Sequence, residues 1–184
     1  MGQESVGHCI GVYHVEHYDA AGRLLWSEDT HNRLYNQGQF AILDIALRGG
    51  TAPASWYIGL MSNNLQSQPA VSSTLATLAG AGPYELTAGD TGYSARQPIN
   101  RDATAAGWPT LGVVGAGEQA TAATVTWTNT GGVPWVDTVR WMFLSTVGTV
   151  GDTTGKFISL AQLNVDRLMN PGDRLQVTYS LLLT

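Results

Sequence analysis

Imidazole and carboxylate groups carry most acid–base and metal chemistry. In this chain all four histidines (His8, His14, His17 and His31) fall within the first 31 residues. A metal centre needs several such groups to converge, and a proton switch needs one imidazole poised near neutral pH. IGVYHVEHY (10–18) reads as a strand that projects Val12, His14 and Glu16 to one face and Tyr13, Val15 and His17 to the other. His14 and His17 therefore cannot meet on one ion. His14 and Glu16 share a face, with His8 or His31 in reach across a hairpin. The reading adopted is polar side chains on an exposed hairpin, with no metal and no catalytic set.

Other chemistry fails on spacing. GDTTGKF (151–157) is one residue short of a phosphate-binding loop, and Phe157 stands where a hydroxyl should meet magnesium, so it reads as a hairpin turn. GVVGAG (112–117) lacks the glycine order and the strand–helix context of a dinucleotide site. No G-x-S-x-G, no H-E-x-x-H and no cysteine pair occurs. Asp19, Asp90, Asp102, Asp152 and Asp173 sit in turns, where Asp caps backbone N–H groups, and no dense acidic cluster suits a glycosidase. No cofactor is expected, and the chain reads as not an enzyme.

Tryptophan offers a different function, since exposed indoles stack on sugars or anchor interfaces. Trp56, Trp127 and Trp141 lie within strand patterns and read as core. Trp108 and Trp135 sit beside prolines in loops. With Tyr13, His14, His17 and Trp26 of the hairpin, they are the candidate interface residues.

Composition narrows the partners. Charged residues are 12% of the 184, about half the usual share, the net charge is -5, and Lys156 is the lone lysine. That balance argues against direct contact with nucleic acid and against an anionic membrane surface. No apolar run is long enough for a membrane helix, and MGQESVGHC has no signal-peptide pattern, so synthesis in a cytoplasm is expected. Cys9 stands alone, which excludes an internal disulfide. A 43% hydrophobic content with six tryptophans argues for a folded chain, and its length suits one domain.

The elements that must position these residues follow in order. Residues 10–31 form a hairpin around the turn Asp19–Gly22, the core of an N-terminal arm spanning 1–35 that packs on the domain or on a neighbouring subunit. A helix spans about 36–48: Asn36 as N-cap with Gln39 three residues on, an apolar stripe of Phe40, Leu43 and Leu47 widened by Ile42 and Ala46, and Gly49-Gly50 as the stop. SWYIGLMS reads as a buried strand, and 63–92 as a long loop with a helical turn near Ser73–Leu78. YSARQPI, ATVTWTNT, RWMFLST, GKFISLAQL and DRLQVTYSLLLT read as further strands. The sum is mainly β: one domain, 1–184, folded as an antiparallel β-sandwich or jelly roll with one helix.

Three phrases carry a resemblance. Asn32, Asn36, Gly38 and Ile42-Leu43-Asp44 fit N-x-x-x-N-x-G-x-x-x-[IL]-L-D. Trp56–Leu60 fits W-Y-[IV]-G-L, and Gly172–Leu181 fits G-D-x-L-x-V-x-Y-x-L. In this order the chain, over most of 10–184, resembles a family of small virion structural proteins of tailed bacteriophages. The resemblance implies a β-sandwich particle protein. It is expected to act as a homo-oligomer on the capsid surface and to decorate (cement) the head through the major capsid protein or other virion proteins. A tail- or fibre-associated module that binds a host-surface glycan is the alternative.

Overall fold

The structure is a computed structural model that describes residues 9–80, 84–87, 89–115 and 117–183. His8 lies outside the described residues. Two antiparallel sheets form the molecule. The first runs β2 (Leu24–His31), β1 (Cys9–Tyr18), β11 (Arg174–Leu183), β7 (Gly117–Thr121), β6 (Thr110–Val114), and β8 (Val125–Thr128) joins the same edge of β11 as β7. The second runs β3 (Arg33–Leu34), β10 (Phe157–Arg167), β9 (Val139–Ser145), β4 (Ser55–Ser62), β5 (Gln97–Asn100). Among the described residues one α-helix, α1 (Asn36–Leu47), follows β3.

The alternation read in the first strand is observed. Tyr13, Val15 and His17 are buried, whereas His14 is exposed and Val12 and Glu16 are half-buried. Ten consecutive residues of β1 pair with β11, from Cys9 against Leu183 to Tyr18 against Arg174. The hairpin is thus packed on the core, with β1 a central strand of the first sheet and β2 its edge. Its inward residues meet Leu175, Val177 and Tyr179 of β11, Trp127 of β8, and Ile58, Leu60, Met142, Leu144 and Ile158 of the second sheet in one apolar core.

The second sheet is buried on both faces, which explains why β4, β9 and β10 read as near-continuous apolar runs. Its outer face (Met61, Trp141, Phe143, Phe157 and Leu160) is covered by Tyr35 and by Leu65, Leu75 and Leu78 of the long loop. That loop holds a π-helical turn at Ala76–Gly80, which overlaps the expected Ser73–Leu78 turn and ends two residues later. It is tied down at Trp141, whose indole donates to the Leu65 carbonyl at 2.8 Å. A buried ion pair, Glu85–Arg96, anchors its far end.

Three strands escaped the sequence reading, the two-residue β3 and the pair β6 and β7. The dismissed glycine-rich stretch supplies the end of β6 and the start of β7, with Val114 opposite Gly117. GDTTGKF lies in the β9–β10 connection, where the Thr146 N–H donates to the Lys156 carbonyl.

Candidate functional site

Helix α1 is the element whose surroundings depart most from expectation. It begins one residue earlier than the capping pattern implies. Tyr35 is the N-cap and makes no side-chain cap hydrogen bond, while Asn36 is already helical. The physical reason lies in the neighbours. The Tyr35 ring is buried, and its N–H donates to Ile158 and that of Asn36 to Val71, so the fold satisfies N–H groups that a side-chain cap would otherwise serve. Burial pushes the Tyr35 hydroxyl up to about 12. Gln37 Oε1 then accepts the N–H of Phe157 at 2.9 Å and of Leu75 at 3.5 Å, stitching helix, β10 and loop together. At the other end Arg48 is the C-cap, and Gly49 takes φ +70° and stops the helix as expected.

The docked face of α1 is set by Gly38, the one buried residue among the described residues of the helix. Its Cα packs directly on the Ile158 backbone, where any Cβ would collide with the carbonyl. Helical spacing then brings Ala41, Ile42 and Ile45 toward the sandwich. Ile42 lines a small apolar cavity of about 90 Å³ with Trp56, Trp108, Leu144, Ile158 and Tyr179, so the helix closes an open side of the sandwich. Of the expected stripe only Ile42 turns toward the core, and the rest lies on the outer face of the helix. Phe40 is 73% and Leu47 77% exposed, and Leu43 is half exposed. Phe40 and Leu43, with Gln37, Asp44, Arg48 and Lys156, border an open recess of about 470 Å³.

The hairpin residues divide by face. His14 is exposed and donates from Nδ1 to Asp29 Oδ1 across the β1–β2 pair at 2.6 Å, with Glu16 3.7 Å from its other ring nitrogen. His17 is buried and bonded through Nε2 to Asp173 Oδ2 at 3.1 Å. That carboxylate also accepts the Asn170 N–H and thereby holds the turn before β11. His17 thus corrects the reading of a wholly exposed hairpin, because its side chain lies on the inward face. Among the described residues no three His, Cys, Asp or Glu side chains are arranged to hold a metal.

The aromatic candidates fare unevenly. Tyr13 is fully buried, tilted 4.7 Å from Tyr179, and bonded to the Ser159 hydroxyl. Burial, with Tyr179 beside it, pushes its hydroxyl well above the usual phenol range. Trp135 is buried, donating to the Thr91 carbonyl at 2.8 Å. Tyr13, His17 and Trp135 are therefore core residues and are not presented to a partner on the chain surface. Trp108 is half-buried, edge-on to Tyr179. Trp26 is half-buried under the Arg167 guanidinium, 3.6 Å from its ring.

Two features were missed from sequence. One is a polar recess of about 440 Å³ lined by Thr30, His31, Gln68, Gln162 and Asn164; strand alternation alone does not bring β2, β10 and the long loop together. The other is β6, whose Leu111 and Val113 are exposed. The run of Gly112, Gly115 and Gly117 hid its strand pattern. No protein-family model and no curated protein matches the chain.

Proposed function

We propose that this chain is a non-enzymatic virion structural protein of a tailed bacteriophage. In this reading it is a capsid decoration (cement) protein that stabilises the head through contacts with the major capsid protein. It is made in the host cytoplasm, acts as a homo-oligomer, and resides on the capsid surface. The phage assignment rests on the ordered motifs around Asn32, Trp56 and Gly172. The role as an assembled subunit is carried by one observation: α1 turns Phe40, Leu43 and Leu47 away from the core. Contiguous exposed apolar side chains mark surfaces that a partner covers. A chain with 12% charged residues gives that face little charged surround to keep it solvated.

The test is made on particles. Mass spectrometry of purified virions is expected to find this chain in hundreds of copies, the order set by a head lattice. Particles without it should lose heat and osmotic resistance. The triple variant Phe40→Gln, Leu43→Gln, Leu47→Gln should fold and fail to be retained. A copy number of a dozen or fewer, or unchanged resistance without the protein, sinks the cement role.

A second reading, a tail- or fibre-associated module that binds a host-surface glycan, draws its support from the amide- and hydroxyl-lined recess at Thr30, Gln68, Gln162 and Asn164. Neutral amides and hydroxyls are the groups that hydrogen-bond sugars. Glycan-array binding that disappears in Gln162→Ala would favour it over decoration.

A further inference from the structure

Five described strands have an unpaired side: β8, beside β7 on one edge of β11, is only four residues long, and of the four strands that end the two sheet paths three carry protection against pairing with another chain. β2 bears Glu28 and Asp29, β3 is two residues long, and β5 contains Pro98. Charge, shortness and proline are the usual devices that blunt a sheet edge. The fourth, β6, is Thr-Leu-Gly-Val-Val, five residues with no charge and no proline. It pairs with β7 on one side, and among the described strands none pairs with its other side.

Two needs are left open on this strand. The first is backbone. The Ala122 N–H donates to the Tyr179 carbonyl at 2.8 Å, so alternation along β7 turns the backbone groups of Thr121, Gln119 and Gly117 toward Thr110, Gly112 and Val114 of β6. Alternation then turns the N–H and C=O groups of Leu111 and Val113 outward, away from β7. The second is apolar surface. Leu111 pairs with Ala120, and Ala120 with Leu181, which shares the face of β11 that carries Tyr179 into the core. Leu111 and Val113 thus lie on the core-side face of the first sheet, yet they are 79% and 72% exposed because the second sheet does not reach them.

The geometry points to a second copy of this chain as the occupant, docked β6 to β6 antiparallel about a two-fold axis through Gly112. In that register Leu111 faces Val113 of the partner and Val113 faces its Leu111. The outward backbone groups are the ones that meet, and the four apolar side chains gather on one face. Gly112 stands on the axis with open space where a Cβ would point. An edge of five residues is about 17 Å long, and it buries less than the ~800 Å² per partner of a standard interface. The free dimer is therefore weak, and crowding of copies on a common surface strengthens it. This contact serves the homo-oligomer proposed above. It is tested on the purified chain without particles, so it can fail while the virion reading stands.

Sedimentation velocity over a concentration series is expected to show a monomer–dimer equilibrium. Val113→Lys should weaken it at least about tenfold while leaving the melting temperature unchanged. Across the axis the Gly112 Cα atoms would lie about 4.5 Å apart as a non-hydrogen-bonded pair. That is within disulfide reach, so Gly112→Cys in a Cys9→Ser background should oxidise to a linked dimer, and Ser27→Cys on the opposite edge should not. A chain that stays monomeric throughout and does not cross-link overturns the inference. So does a dimer that survives Val113→Lys. If Val113→Lys fails to fold, the Gly112→Cys cross-link alone decides.

Discussion

Arg96 and Glu85 form a two-point ion pair sealed from solvent: Nε to Oε1 at 2.7 Å and Nη2 to Oε2 at 2.8 Å. Tyr93 adds a hydroxyl to Oε1, and the Gly151 N–H adds a bond to Oε2. The guanidinium also donates to the Val147 and Asp152 carbonyls, so one pair fastens the end of the long loop to the β9–β10 connection. Glu85→Leu leaves a buried cation without its counter-charge and should cost about 3–5 kcal/mol. The double variant Glu85→Leu, Arg96→Met should cost much less than the two single changes together. Denaturant unfolding of the four proteins in this cycle checks it, and additive losses would refute the coupling.

Gly38 is the contact point of α1. Alanine normally favours a helix over glycine by about 1 kcal/mol. Here Gly38→Ala drives a methyl group into the Ile158 carbonyl. It should destabilise by about 1–3 kcal/mol, as overpacking does. Gln39→Ala, one residue away on the exposed face, is the control and should be neutral or better. A stabilised Gly38→Ala would mean that α1 is not seated on β10 as described.

Phe40, Leu43 and Leu47 should behave in the opposite way. Each is exposed, so Phe40→Gln, Leu43→Gln or Leu47→Gln should change the stability of the isolated chain by less than about 0.5 kcal/mol. Binding of a hydrophobic dye should fall. A large loss of stability in any of the three would place that side chain in the core.

Tyr35 predicts alkaline behaviour. Its folded value, about 12, lies above the 10.0 of an open phenol, and desolvation by burial is the main cause. A raised value favours the neutral form, so its contribution is complete below pH 10 and is lost as pH rises toward about 12. Tyr13 and Tyr93 are raised in the same direction by burial. Unfolding midpoints measured from pH 8 upward should fall above pH 10, and Tyr35→Phe should flatten that fall. An identical slope in the variant would show that Tyr35 ionises freely in the folded chain.

Removal of residues 1–31 should abolish cooperative folding. An arm could be trimmed, but β1 is hydrogen-bonded on both sides and supplies Tyr13 and Val15 to the core. Circular dichroism with a melting curve decides it. A truncated chain with a sharp melt would restore the view of the hairpin as an appendage.

Much of the architecture was legible because local rules and tertiary burial agree. Alternation put Tyr13, Val15 and His17 on one face of their strand, and the structure sets that face inward, beside Tyr179, Val177 and Leu175. The continuous apolar runs of β4, β9 and β10 announced strands covered on both faces. Gly49 marked the end of α1 through its left-handed backbone. These features follow from period, turn chemistry and backbone sterics, which act over a few residues.

What the sequence by itself determined is a mainly β chain with one helix near its front and strands of identifiable facing. Only the tertiary structure decided which surface that helix hides. Two apolar rows run along α1, Phe40/Leu43/Leu47 and Ala41/Ile42/Ile45, and the larger side chains made the first row look like the buried one. The close approach of Gly38 to Ile158 chose the second, because only a residue without a Cβ lets the helix backbone reach β10. The same holds for β6, where a glycine-rich run became an exposed strand once β7 found its place beside β11. Backbone contact between distant segments set both outcomes, and no local pattern encodes it.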